Sequence, residues 1–309
     1  MIVNSLFNKL FGILLTEKSR KKCERIVLIV AIISFLIHLL LIFLADRGLI
    51  RAVDAADLLS SPIAAIYTPF SFILIYEVYL LIFYLPKSFT TYVGKQYEII
   101  VLIIIRRLFK DFSSLSITTD WFKIKYDLQF TYDLIAALIL FYLIYLFQKE
   151  GARRFGPAAQ TSQDEAGINR FVNIKKTLAS LLIPLVLVVS VYSLVNWLWL
   201  TLGIHQGSVY AFRNINNVFF EHFFTILIIV DVILLLFSFF HTDEFHKIIR
   251  NSGFIISTIL IRLSFSVDGL LNTLLILAAI IFGLFIIKIY NKYEKTLALN
   301  QTNGSEANG

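Results

Sequence analysis

The sequence predicts an all-α membrane protein. The expected architecture is a polytopic transmembrane helix bundle of about eight spans in two related four-helix halves, with an N-terminal amphipathic helix lying in the interface plane. Three observations carry this. The 309-residue chain is 58% hydrophobic and only 16% charged, where soluble domains are about 25% charged, and its mean hydropathy is +0.79. Its apolar residues gather into stretches close to the roughly 20 residues that cross the hydrocarbon core. Its cations, with a net charge of +7, fall mainly on one side of those stretches once the spans are drawn.

The first segment, 1–25, reads as amphipathic and basic. Val3, Leu6, Phe7, Leu10, Phe11 and Leu14 share one helical face, and Asn4, Ser5, Asn8 and Lys9 the other, as in a helix buried along one side in the interface. The run Lys18, Arg20, Lys21, Lys22, Arg25 follows, placed to meet anionic lipid head groups. No small-residue cleavage site follows the apolar stretch, so a signal peptide is not expected. Cys23 is the single cysteine, which excludes an intrachain disulfide or a thiolate metal cage.

The first transmembrane half, 26–148, holds clear spans at 26–45, 62–85 and 130–147 and a short apolar stretch at 97–109. The polar linker 149–176 carries Gly151, Gly156, Pro157 and Gly167 and is too short for a core of its own. The second half, 177–290, holds clear spans at 178–202, 218–240 and 270–289 and a short stretch at 254–265. The tail, 291–309, reads as disordered. If both short stretches span, both termini and the linker cations Lys149, Arg153, Arg154, Arg170, Lys175 and Lys176 are cytoplasmic. Arg47, Arg51, Lys110, Lys123, Lys125 and Arg213 are then left outside. If neither spans, six helices result and the linker cations move outside, against the positive-inside tendency. The expected location is the cell membrane, multi-pass, with cytoplasmic ends. Trp197 and Trp199, and Tyr290 and Tyr293, fit interfacial belts.

The halves show internal similarity. Glu77, Val78, Leu80, Leu81 and Phe83 align without gaps to Asp231, Val232, Leu234, Leu235 and Phe237. Ile99, Ile100, Ile103, Ile105, Arg106 and Phe109 align to Ile255, Ile256, Ile259, Ile261, Arg262 and Phe265. The separations, 154 from position 77 to 231 and 156 from 106 to 262, are nearly constant. After each arginine a further span opens near an acid, Asp133 in one half and Asp268 in the other. Repeated halves are common in transport folds.

Ionisable groups in the bilayer core cost several kcal/mol and should pair or face a wet cavity. Glu77 lies eight positions before the inner end of its span at 85, about 12 Å deep. Arg106 is nine positions past the start of its stretch at 97, at about 13–14 Å. Their depths match, and Asp231 and Arg262 repeat the arrangement. The candidate ion or proton pathway, or intramembrane charge pairs, therefore comprises Glu77, Arg106, Arg107, Asp133, Asp231, Arg262 and Asp268.

A basic third segment facing an acid on the second resembles voltage-sensor domains at Glu77, Arg106, Arg107 and Lys110. Such sensors repeat arginine at every third position over several turns. Here Arg107 and Lys110 alone keep that spacing and Arg262 stands by itself, so the chain departs from the pattern. The resemblance implies a regulatory rather than a catalytic role.

His241, Asp243, Glu244 and His246 have ligand chemistry, but the chain holds only five histidines and a solvated turn is the simpler reading. His38, mid-span, reads as bonded to a backbone carbonyl. No phosphate loop, nucleophile elbow or His-Glu-x-x-His string occurs, and no soluble catalytic domain has room to form. An enzyme, a cofactor and nucleic-acid binding are not expected. The expectation is a transporter or channel-like protein moving protons or small ions; the alternative is a structural or regulatory membrane subunit, voltage-sensor-like or scaffold. Expected partners are the lipid bilayer and its anionic lipids, with a homo-oligomer or a membrane partner protein left open.

Overall fold

The computed structural model describes residues 11–48, 64–112, 125–153, 165–202, 211–240, 244–267 and 269–306. Within them the protein is helical throughout, with no strand. After a helical turn at 11–14 come α1 (Glu17–Asp46), a 3-10 turn (Ala64–Ile66), α2 (Tyr67–Tyr84), α3 (Phe89–Phe112) and α4 (Lys125–Gly151). They are followed by α5 (Glu165–Leu202), α6 (Ala211–Phe239), α7 (Phe245–Ser264) and α8 (Leu270–Glu306).

Three helical stretches are long and apolar enough to cross a membrane: Glu17–Asp46, Leu128–Gly151 and Leu270–Asn300. Thr68–Tyr84 and Phe223–Phe239 are shorter apolar helices. The two short apolar stretches of the sequence are parts of longer helices. α3 has 24 residues and α7 has 20, or about 36 and 30 Å at 1.5 Å per residue. Their N-terminal extensions are polar, which is why a hydropathy reading truncates them.

The start of α1 is encoded locally. The chain bends at Leu15 and Thr16, and the Thr16 side chain accepts from the Ser19 N–H at 3.2 Å. Glu17 occupies the first turn, where the helix dipole favours a carboxylate. At the other end the Gly48 N–H donates to the Ala45 carbonyl at 2.9 Å with φ +71, the left-handed ending that glycine adopts without penalty. The basic run 18–25 is thus the opening of α1. The in-plane amphipathic helix falls mostly on residues 1–10, outside the described residues.

The linker is also more helical than its composition suggests: α4 runs to Gly151 and α5 begins at Glu165. Where the sequence suggests a disordered tail from 291, α8 continues to Glu306. Asn291 is 5% exposed and its amide donates to the Glu150 carbonyl at 2.9 Å and to the Glu150 carboxylate at 3.0 Å. The His246 ring stacks on Tyr290 and Tyr293. Tertiary contact holds a segment that polarity alone would leave loose.

The chain divides into two compact units that cut across the two sequence halves. Unit 1 is 1–83, 102–131 and 176–229; unit 2 is 84–101, 132–175 and 230–309. Helices α3 to α6 each contribute residues to both, because each is longer than the stretch any one cluster of neighbours covers.

In unit 1, α2 packs on the start of α1. The Tyr76 hydroxyl donates to the Glu24 carboxylate at 3.1 Å, Tyr79 donates to the Leu14 carbonyl at 2.7 Å, and Arg20 lies over the Phe83 ring. His38 is hydrogen-bonded to the Thr68 hydroxyl.

In unit 2, α7 packs along α8 through small residues. A methyl on Gly253 would stand 2.7 Å from the Ile286 side chain, and one on Gly283 would overlap the Tyr97 hydroxyl. Tyr97 is fully buried; its hydroxyl bonds the Ser257 hydroxyl at 2.6 Å, which donates to the Ala279 carbonyl at 2.6 Å.

Unit 2 buries polar residues within its apolar core and exposes large apolar side chains. On α7 the residues Asn251, Ser257, Thr258, Arg262 and Ser264 are buried, while Ile249, Ile256 and Leu263 are exposed. On α8 Asn272 and Thr273 are buried and Leu270, Leu271 and Leu274 exposed. On α4 Asp133 is buried while Leu138 is 68% exposed.

Candidate functional site

Tyr92, Gln96, Thr258 and Arg262, all in unit 2, gather around one carboxylate. Asp231, near the end of α6, is fully buried. Its Oδ2 lies 2.7 Å from Arg262 Nη2 on α7, an ion pair with both side chains almost wholly inside. Its Oδ1 accepts from the Tyr92 hydroxyl on α3 at 2.9 Å. Thr258, one helical turn before Arg262, places its hydroxyl 3.5 Å from Oδ2 and donates to the Ile255 carbonyl at 2.9 Å. Gln96, one turn after Tyr92, accepts from Arg262 Nη2 through Oε1 at 3.3 Å.

Helical periodicity builds this site. Positions four apart lie on one face, so 92 with 96 on α3 and 258 with 262 on α7 each present two polar groups to the same side. Arg262 and the Tyr92 hydroxyl donate to the carboxylate and the Thr258 hydroxyl stands beside it, so the buried polar group has partners.

A second buried carboxylate, Asp133 on α4, accepts from the Thr273 hydroxyl on α8 at 2.7 Å. In unit 1, Glu77 on α2 is 5% exposed, and Arg106 on α3 acts on it electrostatically. Arg106 and Arg107 are both half-buried. Of the seven residues singled out by sequence, the structure brings Asp231 and Arg262 into direct contact. Glu77, Arg106 and Arg107 belong to unit 1, and Asp133 to unit 2 with the ion pair. Asp268 lies outside the described residues, as do His241 and Asp243.

Sequence reasoning passed over Tyr92, Gln96, Thr258 and Thr273. The available signal was a pair of hydrogen-bonding residues at i, i+4 inside a helix that also carries a buried charge. Tyr and Thr look unremarkable in an apolar helix, and nothing local says which face turns inward.

On the polar flank of unit 2, Lys175 is 4% exposed. Its Nζ donates to the Lys87 carbonyl at 2.9 Å and lies over the Phe89 and Phe171 rings at 4.2 and 4.9 Å. Burial, and then the neighbouring Arg250 charge, bring this ammonium down to about 8. His246 Nε2 lies 3.1 Å from Glu294 and 3.2 Å from Glu244. Among the described residues no group of three or more His, Cys, Asp and Glu side chains is arranged to hold a metal ion.

Comparison with protein-family models, with curated proteins and with solved structures finds no match.

Proposed function

We propose that this protein is a multi-pass integral membrane protein that moves a proton or small ion through the bilayer, with the Asp231–Arg262 cluster as its intramembrane polar site. The observation that carries the membrane part is the apolar surface of unit 2, whose charged and amide side chains turn inward. Leucine and isoleucine face outward at 42–68% exposure on helices whose Asp, Arg, Asn and Thr are buried. In water such a surface would aggregate; in lipid it is the favoured arrangement, since charges turn inward and pair.

On this reading α1, α4 and α8 cross the bilayer, and α2, α3, α5, α6 and α7 complete eight spans with both termini cytoplasmic. The transport part rests on the buried charges themselves. An ion pair is held in unit 2, and the buried Glu77 feels the Arg106 charge in unit 1, at positions where a purely structural core would gain more from leucine.

Two measurements test it. Single cysteines at Ala159 and Ser114, in a Cys23→Ser background, should label from opposite sides of the membrane, Ala159 from the cytoplasm. Proteoliposomes should show a proton or ion flux that Glu77→Gln and Asp231→Asn abolish. Absence of flux under every gradient, or unchanged flux in both variants, refutes transport.

A second reading, a structural or regulatory membrane subunit, is favoured by the sealing of Asp231, fully buried with both oxygens engaged by Tyr92 and Arg262. It predicts co-purification with a membrane partner, and variants that lose stability only.

A further inference from the structure

Two donors in the ionic cluster have no acceptor. Arg262 Nη1 and Gln96 Nε2 are both buried and make no hydrogen bond. The two side chains are 6% and 5% exposed. They already touch each other through Arg262 Nη2 and Gln96 Oε1, so each orphan donor is two bonds from that contact. The contact also fixes the amide. Turning Gln96 over would set its NH₂ against a guanidinium that has no acceptor to offer. The Tyr92 hydroxyl, though near Gln96, is not placed to accept from it.

A buried donor left without a partner is strongly disfavoured, so two such groups on adjoining side chains call for an acceptor between them. Asp231 does not serve: its oxygens take the Tyr92 hydroxyl and Arg262 Nη2, and neither orphan donor makes a hydrogen bond to them. An alkali cation is excluded on charge and on hydrogen-bonding sense, because the unmet groups are N–H donors, one of them on a guanidinium.

We infer that Arg262 and Gln96 form a binding site for a small monovalent anion of the halide class. The inference rests on the transport reading and sharpens it, naming the ion that the polar site takes. Asp231 then acts as a tuning counter-charge. It holds the guanidinium in place and limits how tightly the anion is bound, which suits a site that must also release its ion.

The test uses the purified full chain in detergent, with sodium chloride as probe and sodium gluconate keeping ionic strength constant. Chloride binding is read from chlorine NMR line broadening, with bromide as competitor. Wild type should show saturable broadening that bromide displaces. Gln96→Glu keeps the oxygen that Arg262 uses but turns the orphan donor into a negative acceptor; it should weaken binding about tenfold or more. Asp231→Asn removes the counter-charge and should tighten binding about tenfold. Circular dichroism and thermal unfolding verify that each variant folds, and Gln96→Met replaces Gln96→Glu if it does not. The inference is overturned if neither wild type nor Asp231→Asn broadens chloride beyond Arg262→Met, since internal water then serves the donors. It is equally overturned if the Gln96 variant keeps full affinity. Loss of binding with proton flux intact sinks this inference alone; binding without any flux sinks the transport reading alone.

Discussion

Replacing Arg262 by methionine should be among the most damaging single changes in unit 2. The substitution fills the same volume with apolar atoms, so little packing is lost. What is lost is, among the described residues, the only cation in contact with Asp231, which is fully buried. The carboxylate keeps the Tyr92 hydroxyl, and one neutral donor does not replace the cation. Breaking a buried pair from one side costs about 3–5 kcal/mol, whereas replacing both partners with apolar residues is often near neutral. Arg262→Met should therefore lose about 3–5 kcal/mol, and Asp231→Leu a comparable amount. The double variant should recover most of it, giving a coupling energy of at least about 2 kcal/mol. The assay is reversible unfolding in mixed micelles with increasing sodium dodecyl sulfate, followed by circular dichroism. If both single variants unfold within about 1 kcal/mol of wild type and their effects add, the pair does not carry the energy argued for it.

Further outcomes follow from the packing and from Lys175. Gly283→Ala sets a methyl against the buried Tyr97 hydroxyl and should cost about 1–3 kcal/mol by overpacking; Tyr97→Phe in the same chain should return part of it, measured by the same unfolding. Thr273→Val removes the hydroxyl that Asp133 accepts from and should cost about 1–3 kcal/mol, while Thr273→Ser should be nearly silent. Lys175 has its folded value lowered from 10.5 to about 8. Between those pH values the unfolded chain holds a proton that the folded chain has released, so stability should rise with pH across that window. The gain is about 3 kcal/mol at most. Lys175→Met should flatten the rise, read as unfolding midpoints at a series of pH values.

Which helices form was largely legible from the sequence; how far they extend was not. Apolar runs marked α1, α4 and α8, because a stretch of leucine and isoleucine near twenty residues has few alternatives. The same reading stopped α3 at 97 and α7 at 254, since Lys95, Gln96, Asn251 and Ser252 lower the local hydropathy. In the structure Gln96 and Asn251 are buried, and Asn251 donates to the Ser238 hydroxyl at 2.7 Å. Their polarity is satisfied within the protein, so it does not end the helix. The tail from 291 was misjudged for a similar reason: Asn291 looks like a solvated residue until its partner Glu150 is known.

The sequence alone determined the helical content and pointed to a membrane: too few charges for water, and apolar stretches of membrane length. It also singled out Asp231 and Arg262, because a charge in an apolar run is visible without any partner. Only the tertiary structure decided what surrounds them. A hydrogen bond needs a direction as well as a donor, and the faces of α3, α6 and α7 that meet are set by the packing of whole helices. That packing brought Tyr92, Gln96 and Thr258 to the ion pair and left two buried donors without an acceptor among the described residues.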